Sequence, residues 1–596
     1  MEHELLSRRD LDFLLYDWLD VESLTRCERF ADHSRDTFDA VLDLSQELAA
    51  EQFATHNAAS DRTEPVFDGE TVTVIPEVGQ ALKAFADSGL IAAAMDADAG
   101  GIQLPYIVHQ ACFAWFQAAN IATAAYPMLT MANANLLQAH ASPEQVARFV
   151  PPMLEGRWFG TMCLSEPQAG SSLADVATRA VPQGDGTYRL FGNKMWISGG
   201  EHEMGDNIVH LVLARVEGAP TGVKGLSLFA VPKRLVGADG EFGERNDVVL
   251  AGINHKMGYR GTVNTVLNFG EGRHRPGGSA GAVGELVGDQ GRGLAVMFHM
   301  MNEARIGVGA GAVALGYAGY RTALAYAKSR RQGRPLGAKD PSSAPVPIIR
   351  HADVRRMLLA SKSYVEGGLA LVLYAARLVD EQRTAETPAE RAAAGELLDV
   401  LTPIVKNWPS QWCLAANDLA IQVHGGYGYT REYPVEQLYR DNRLNLIHEG
   451  THGVQAQDLL GRKLVIDGGR GLRVLLKAVD GTVTRARAAG FEVYADALAA
   501  YTAGLGDLVG EVWAEGKPEE ALANASTFLE AAGHIVVAWI WLEQLVAVGE
   551  REGDFFAGKR AAGRYFLTHE LPKVGPMLDL VGSGDQLFNE IREAWF

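Results

Sequence analysis

The chain has 596 residues, 47% apolar and 21% charged, with 54 basic against 73 acidic side chains and a formal net charge of −19. That is the composition of a globular protein too long for one core, and the charge argues against broad attraction to nucleic acid or an anionic membrane. Cys27, Cys112, Cys163 and Cys413 show no C-x-x-C spacing, so they suggest neither a metal site nor a disulfide framework, and reduced thiols are the simplest reading.

Residues 1–20 are charged and amphipathic, without the apolar stretch and cleavage site of a signal peptide. The first 159 residues read as helices, as in 11–24 and 38–53, where apolar residues recur at helical spacing. Near Phe159 the texture changes to short β-rich runs punctuated by glycine: 188–191, 195–197, 208–214, 226–231 and 263–269. Residues 270–284 read as a loop or linker. A long helix begins near Gly291, and Leu294, Phe298, Met301, Val308, Ala312 and Leu315 give it an apolar seam interrupted by Arg305. Further helices are expected over 352–376, 389–420, 435–440 and 453–466, and a last helical region follows Gly468, with a start signal at Pro518. The longest apolar run, 535–542, falls short of the ~20 residues that span a bilayer and reads as core packing. The expectation is an α+β multidomain protein, cytoplasmic and without a transmembrane segment. Its parts are a helical domain 1–159, a β domain 160–283, a helix bundle 284–467 and an additional helical domain 468–596.

Five features carry candidate chemistry. Residues 162–172 (MCLSEPQAGSS) form a Ser/Gly-rich loop able to offer N–H groups and hydroxyls to a phosphate, or simply a polar turn. Residues 194–198 (KMWIS) put an indole and a hydroxyl on one face of a strand, suited to a flat cofactor, though a core tryptophan is the default. Residues 422–429 (QVHGGYGY) hold adjacent glycines that admit a pyrophosphate or end a helix. They are not the G-x-G-x-x-G of a dinucleotide fold, since no strand precedes them. Residues 447–451 (IHEGT) offer either a capping Thr451 beside a surface acid, or Glu449 aimed into an apolar cleft as a general base. Arg305, on an apolar seam, needs a partner, either a salt bridge or a ligand.

In this order and spacing the segments resemble the acyl-CoA dehydrogenase family over roughly residues 40–465. The resemblance rests on Ser165-Glu-Pro with Ala-Gly-Ser171, Trp196-Ile-Ser198, Ser329-Arg-Arg-Gln332, Gln422 with Gly425-Gly426, Tyr433-Pro, Arg440-Asp441 and Glu449-Gly-Thr451. The region after Gly468 is similar to the long branch that includes very-long-chain, mycobacterial fatty acyl-CoA and 3-methylmercaptopropionyl-CoA dehydrogenases. The resemblance implies the family fold: an N-terminal helical domain, a middle β-barrel-like domain, a C-terminal four-helix bundle and here an extra helical domain.

It further implies FAD as cofactor and Glu449 as the base that takes the α-proton of an acyl-CoA while hydride leaves the β-carbon for the flavin. The thioester oxygen would be held by a ribityl hydroxyl and the Glu449 N–H. Ser165, Trp196 and Ser198 would face the flavin, with Thr451 touching the cofactor beside the base. Ser171 and Arg305 would contact the substrate's thioester or CoA portion. Arg330 and Gln332, with Gln422, Gly425 and Gly426, would hold the FAD pyrophosphate and adenosine. In the family these two groups belong to neighbouring subunits, so a homo-oligomer (dimer or dimer of dimers) is implied, with electron-transfer flavoprotein as electron acceptor. The chain departs from the pattern at His448, where many members have tyrosine, at Gly333, where many carry an aromatic, and at Asn302, in place of an acid. Rival readings are a same-fold oxidase using O₂, a DNA-protecting member of the fold, which the acidic balance disfavours, and a helical scaffold.

Overall fold

Strand-forming sequence is concentrated in one stretch of this chain, and the architecture follows from that segregation. The computed structural model describes residues 5–237, 240–335, 337 and 342–596. It divides into two units: residues 40–104 with 119–307, and residues 1–39 and 105–118 with 308–596.

Among the described residues, all the strands lie in the first unit. β1 (Val66–Phe67) and β2 (Val72–Thr73) form a small hairpin within a region expected to be helical. The main sheet is built from β3 (Trp158–Cys163), β4 (Arg179–Pro182), β5 (Tyr188–Ser198), β6 (Asn207–Val216), β7 (Leu226–Pro232), β10 (Val248–Ile253), β11 (Asn264–Phe269) and β12 (Ala282–Val287). A separate pair, β8 (Arg234–Val236) and β9 (Phe242–Arg245), lies between β7 and β10 in the chain. The main sheet runs β10-β11-β5-β12-β7-β6-β3, with β4 joining β5 and β6. Its apolar side chains, among them Cys163, Leu190, Val212, Phe229 and Leu267, form one buried cluster. β12 corrects the expectation of a loop through 284: Ala282–Gly284 pairs with Leu190–Tyr188 of β5, and Glu285–Val287 with β7. Its six residues include a glycine and follow a glycine-rich stretch, so its strand signal is weak.

Helix α1 (Ile121–His140) starts where Asn120 accepts the Thr123 N–H at 3.1 Å. Its Asn133 amide donates to the carbonyls of Thr161 on β3 and Val209 on β6, at 3.1 and 3.0 Å. Helix α2 (Gly293–Ser329) follows β12; residues 293–307 belong to this unit and 308–329 to the other. The expected seam is half right. Val308, Ala312 and Leu315 are buried, but the first turns bury Val296, Met297 and Met300, and leave Leu294, Phe298 and Met301 half-exposed.

The second unit is helical. α3 (Ala352–Thr384) packs along α4 (Pro388–His424). α4 opens with a capping box, Thr387 and Glu390 bonding each other's backbone N–H, and closes at Gly425 with φ 63°. α5 (Val435–Arg443) and α6 (His452–Asp458) flank the 447–451 turn. α7 (Ala525–Val548) is, among the described residues, the one helix long and apolar enough to cross a membrane, yet 83% of its most apolar window is buried within the protein. Residues 535–542 are all buried, as expected of core packing. Within this unit Lys559 bridges Asp10 and Glu366, and Tyr317 donates to Asp10 at 3.0 Å, so the N-terminal segment and a C-terminal helix share one buried charge cluster.

Candidate active site

In the β unit the KMWIS strand is not regular. Lys194 pairs with Leu267 and Ile197 with Thr265, so Met195 and Trp196 together oppose the single Val266. This bulge puts Trp196 at φ 66° and leaves its indole 58% exposed, which overturns the default of a core tryptophan. An exposed indole in a left-handed backbone offers a flat apolar face to solvent. The Met195 N–H donates to the Ser165 carbonyl at 2.9 Å, which places Ser165 beside the bulge. Ser198, half-buried, accepts from the Asn264 amide at 3.2 Å.

A buried charge pair, Lys194 with Glu166, holds these groups. Lys194, fully buried, donates to the Leu164 carbonyl and to Glu166 Oε1, both at 2.9 Å. Glu166 also accepts the N–H groups of Ala177 and Thr178 and the Thr178 hydroxyl. Burial pushes its carboxyl up, but Lys194 and the Thr178 hydrogen bond outweigh that and hold it below the usual carboxylate range. Ser171 is exposed on the following loop. Arg305 is buried, at 3% exposure, with its guanidinium carbon 5.9 Å above the Phe298 ring.

In the helical unit the 447–451 turn is tightly determined. Glu449 has φ 55° and Gly450 φ 96°, two successive left-handed residues, of which the glutamate is strained. Gln455 of α6 donates to the Glu449 carbonyl at 3.0 Å, and the buried Lys406 of α4 donates to the Gly450 carbonyl at 2.8 Å. The Glu449 side chain is half-buried. Thr451 occupies the N-cap position of α6, but its side chain makes no capping hydrogen bond, so the bland reading of that threonine fails. His448 is displaced far from its ordinary titration: burial and then the Lys406 charge lower it to about 3, so it is neutral at physiological pH.

At the other end of α4, Gln422, Gly425 and Gly426 are exposed, and a Cβ at either glycine would meet nothing within 4 Å. Arg330 lies with its guanidinium carbon 5.4 Å over the ring of Tyr427, so the Arg330 and Gly425 groups meet within one chain, which corrects the expectation that they come from neighbouring subunits. Gln332 is exposed, its N–H bonded to the Val346 carbonyl at 3.0 Å. Open space beside exposed glycines and an arginine fits a pyrophosphate, and the exposed Trp196 fits an isoalloxazine.

Four domains of one family match the chain in order: acyl-CoA dehydrogenase N-terminal domain at 36–157, middle domain at 161–270, C-terminal domain at 291–464, and the acetyl-CoA dehydrogenase C-terminal-like domain at 475–592. The 3-methylmercaptopropionyl-CoA dehydrogenase of Ruegeria pomeroyi is 36% identical, covering 94% of this chain and 95% of its own. The broad-specificity linear acyl-CoA dehydrogenase FadE5 of Mycobacterium tuberculosis is 33% identical over the full length of both chains. Caenorhabditis elegans ACDH-11, solved with C11-CoA, has the same fold, with a TM-score of 0.74 at 18% identity over 93% of this chain and 90% of its own.

Proposed function

We propose, from the premise that this chain belongs to the FAD-dependent acyl-CoA dehydrogenase family, that Glu449 is the base of its α,β-dehydrogenation. The observation that carries the assignment is the strained turn: a carboxylate is fixed at φ 55° by Gln455 and Lys406 bonding the carbonyls of residues 449 and 450. Strain of that kind persists where the surroundings over-determine it, and functional sites are where it concentrates.

An α-proton of a thioester is weakly acidic, so its removal needs a fixed base and a donor for the oxygen on which charge develops. Glu449 supplies the carboxylate and its own N–H the donor. Bound FAD supplies the hydride acceptor for the β-carbon, and the product is the trans-2-enoyl-CoA. Ser165, Trp196 and Ser198 are the flavin-facing residues of this reading, with Thr451 touching the cofactor beside the base. Arg330, Gln332, Gln422, Gly425 and Gly426 take its pyrophosphate and adenosine. Ser171 and the buried Arg305 bind the thioester and CoA side of the substrate. The working enzyme is a homo-oligomer, a dimer or dimer of dimers, that passes its electrons to electron-transfer flavoprotein.

The test is an anaerobic titration of the purified holoenzyme with acyl-CoAs, from short linear chains through a thioether acyl-CoA to long chains. Bleaching of the oxidised flavin band by one chain class, abolished in Glu449→Gln with FAD retained, is the expected result. Bleaching that survives in Glu449→Gln refutes the assignment of the base, and rapid turnover with O₂ alone refutes the electron acceptor.

A further inference from the structure

The 447–451 turn is tied to the bundle by a one-way chain of side-chain amides. Asn417 of α4 donates from Nδ2 to the Leu315 carbonyl of α2 at 2.9 Å. Asn442 of α5 donates from Nδ2 to the Ala312 carbonyl at 3.0 Å and to Asn417 Oδ1 at 2.7 Å. Asn445 donates to Asn442 Oδ1 at 2.9 Å, and His448 Nε2 lies 3.0 Å from Asn445 Oδ1. The three asparagines are buried. The seat is made by glycine: a Cβ at Gly319 of α2 would stand 2.4 Å from Asn417 Nδ2.

Orientation along this chain is forced. The Ala312 and Leu315 carbonyls can only accept, so the Asn417 and Asn442 amide nitrogens face them. Asn442 Oδ1 therefore receives Asn445 Nδ2, and Asn445 Oδ1 is left to face His448, where it needs a donor. His448 must then carry its proton on Nε2. In a neutral imidazole that leaves Nδ1 an acceptor.

We infer that Asn417, Asn442, Asn445 and His448 form a positioning ladder that fixes the tautomer of His448 and, through it, the placement of Glu449. The inference rests on the reading of Glu449 as base. The ladder ends on the residue next to that base. The Lys406 charge of α4 bears on His448 and disfavours a second proton there, and Glu449 is its chain neighbour. A cationic imidazole beside the base would stabilise the carboxylate and blunt its basicity, so a ladder that presents only an amide oxygen keeps the base strong.

The experiment uses the holoenzyme in two arms. In Asn445→Leu the donor chain is cut: kcat falls by about 10–100-fold with KM changed less than about threefold, because a displaced base costs only the chemical step. In Asn445→Asp a carboxylate replaces the amide oxygen and draws a proton onto His448. The kcat profile then loses activity as pH falls through a new ionisation absent from the wild type, and the loss is reversed at high pH. An independent readout needs no ladder variant: ¹⁵N-histidine NMR of the wild-type holoenzyme, with the His448 signal assigned by its loss in His448→Gln, is expected to report the Nε2–H tautomer. An Nδ1–H tautomer, or wild-type kcat in Asn445→Leu, overturns the inference. Activity retained in Glu449→Gln would instead sink the base assignment and leave the tautomer result standing.

Discussion

Replacing Lys194 by methionine tests how the Leu164–Ser165 segment, proposed to face the flavin, is held. The side chains of Lys194 and Glu166 are 0% and 2% exposed, so solvent cannot take over the role of either. The substitution keeps the stem but removes the donor shared by the Leu164 carbonyl and Glu166 Oε1. Breaking a buried pair costs about 3–5 kcal/mol. The four remaining donors, from Gln168, Ala177 and Thr178, put this case at the low end, and the orphaned Leu164 carbonyl adds about 1 kcal/mol. A loss of about 4 kcal/mol, at about 2–4 °C per kcal/mol for a unit of this size, lowers Tm by roughly 8–16 °C. Calorimetry of the holoenzyme measures it. The Lys194→Met/Glu166→Gln double variant, which removes both charges, is expected to recover half of the loss or more. Visible circular dichroism of the flavin is expected to change in the single variant, because the Leu164–Ser165 backbone loses its anchor beside the bulge. A single variant within about 1 kcal/mol of wild type, or a double variant no better than the single, would refute the reasoning.

Three further outcomes follow from other parts of the chain. Glu570 is buried, accepts from Tyr364 at 2.9 Å and Lys573 at 2.6 Å, and is held down to about 2 because these hydrogen bonds, the Lys573 charge and the His534 ring 3.9 Å away together outweigh burial. Its folded value lies below the unfolded one, so the stability it contributes, about 3 kcal/mol, is present above pH ~4.5 and lost as pH falls toward 2. Urea melts of Glu570→Gln are expected to be weaker at pH 7 and flatter across that acid window than the wild type, and equal slopes would contradict this. Trp196→Ala removes an exposed ring, so the apoprotein is expected to melt within about 0.5 kcal/mol of wild type, while FAD affinity falls about tenfold or more, read by fluorescence titration. In Gly309→Ala the new Cβ would stand 2.1 Å from the Val405 carbonyl of α4, an overpacking that costs about 1–3 kcal/mol. The control Gly510→Ala, with nothing within 4 Å, is expected to stabilise its helix by up to about 1 kcal/mol.

What the sequence made legible and what it hid divide along a physical line. Helix seams and long β runs are local patterns, so 208–214, 226–231 and 389–420 were readable, and each falls within an observed element. β12 was not, because a six-residue strand after clustered glycines gains its stability from β5 and β7, which lie elsewhere in the chain. The first turns of α2 were misassigned by one position around the helix, since a 3-and-4 spacing names a stripe but not the neighbour that covers it. The site divides the same way. Trp196 and Glu449 are legible as motif members, but their left-handed backbones, which set them apart from an ordinary core ring and an ordinary surface acid, appear only in the fold. The KMWIS sequence alone assigns Lys194 no role, because its partner is 28 residues away. Asn442, Asn445 and His448 recur at a spacing of three, a signal that could have suggested one polar helix face. Of the three, His448 alone stands out in the sequence, as a departure from the family pattern. Its consequence depends on Asn417, on another helix, and on two carbonyls of a third, and a chain of donors can be oriented only once its backbone end is known.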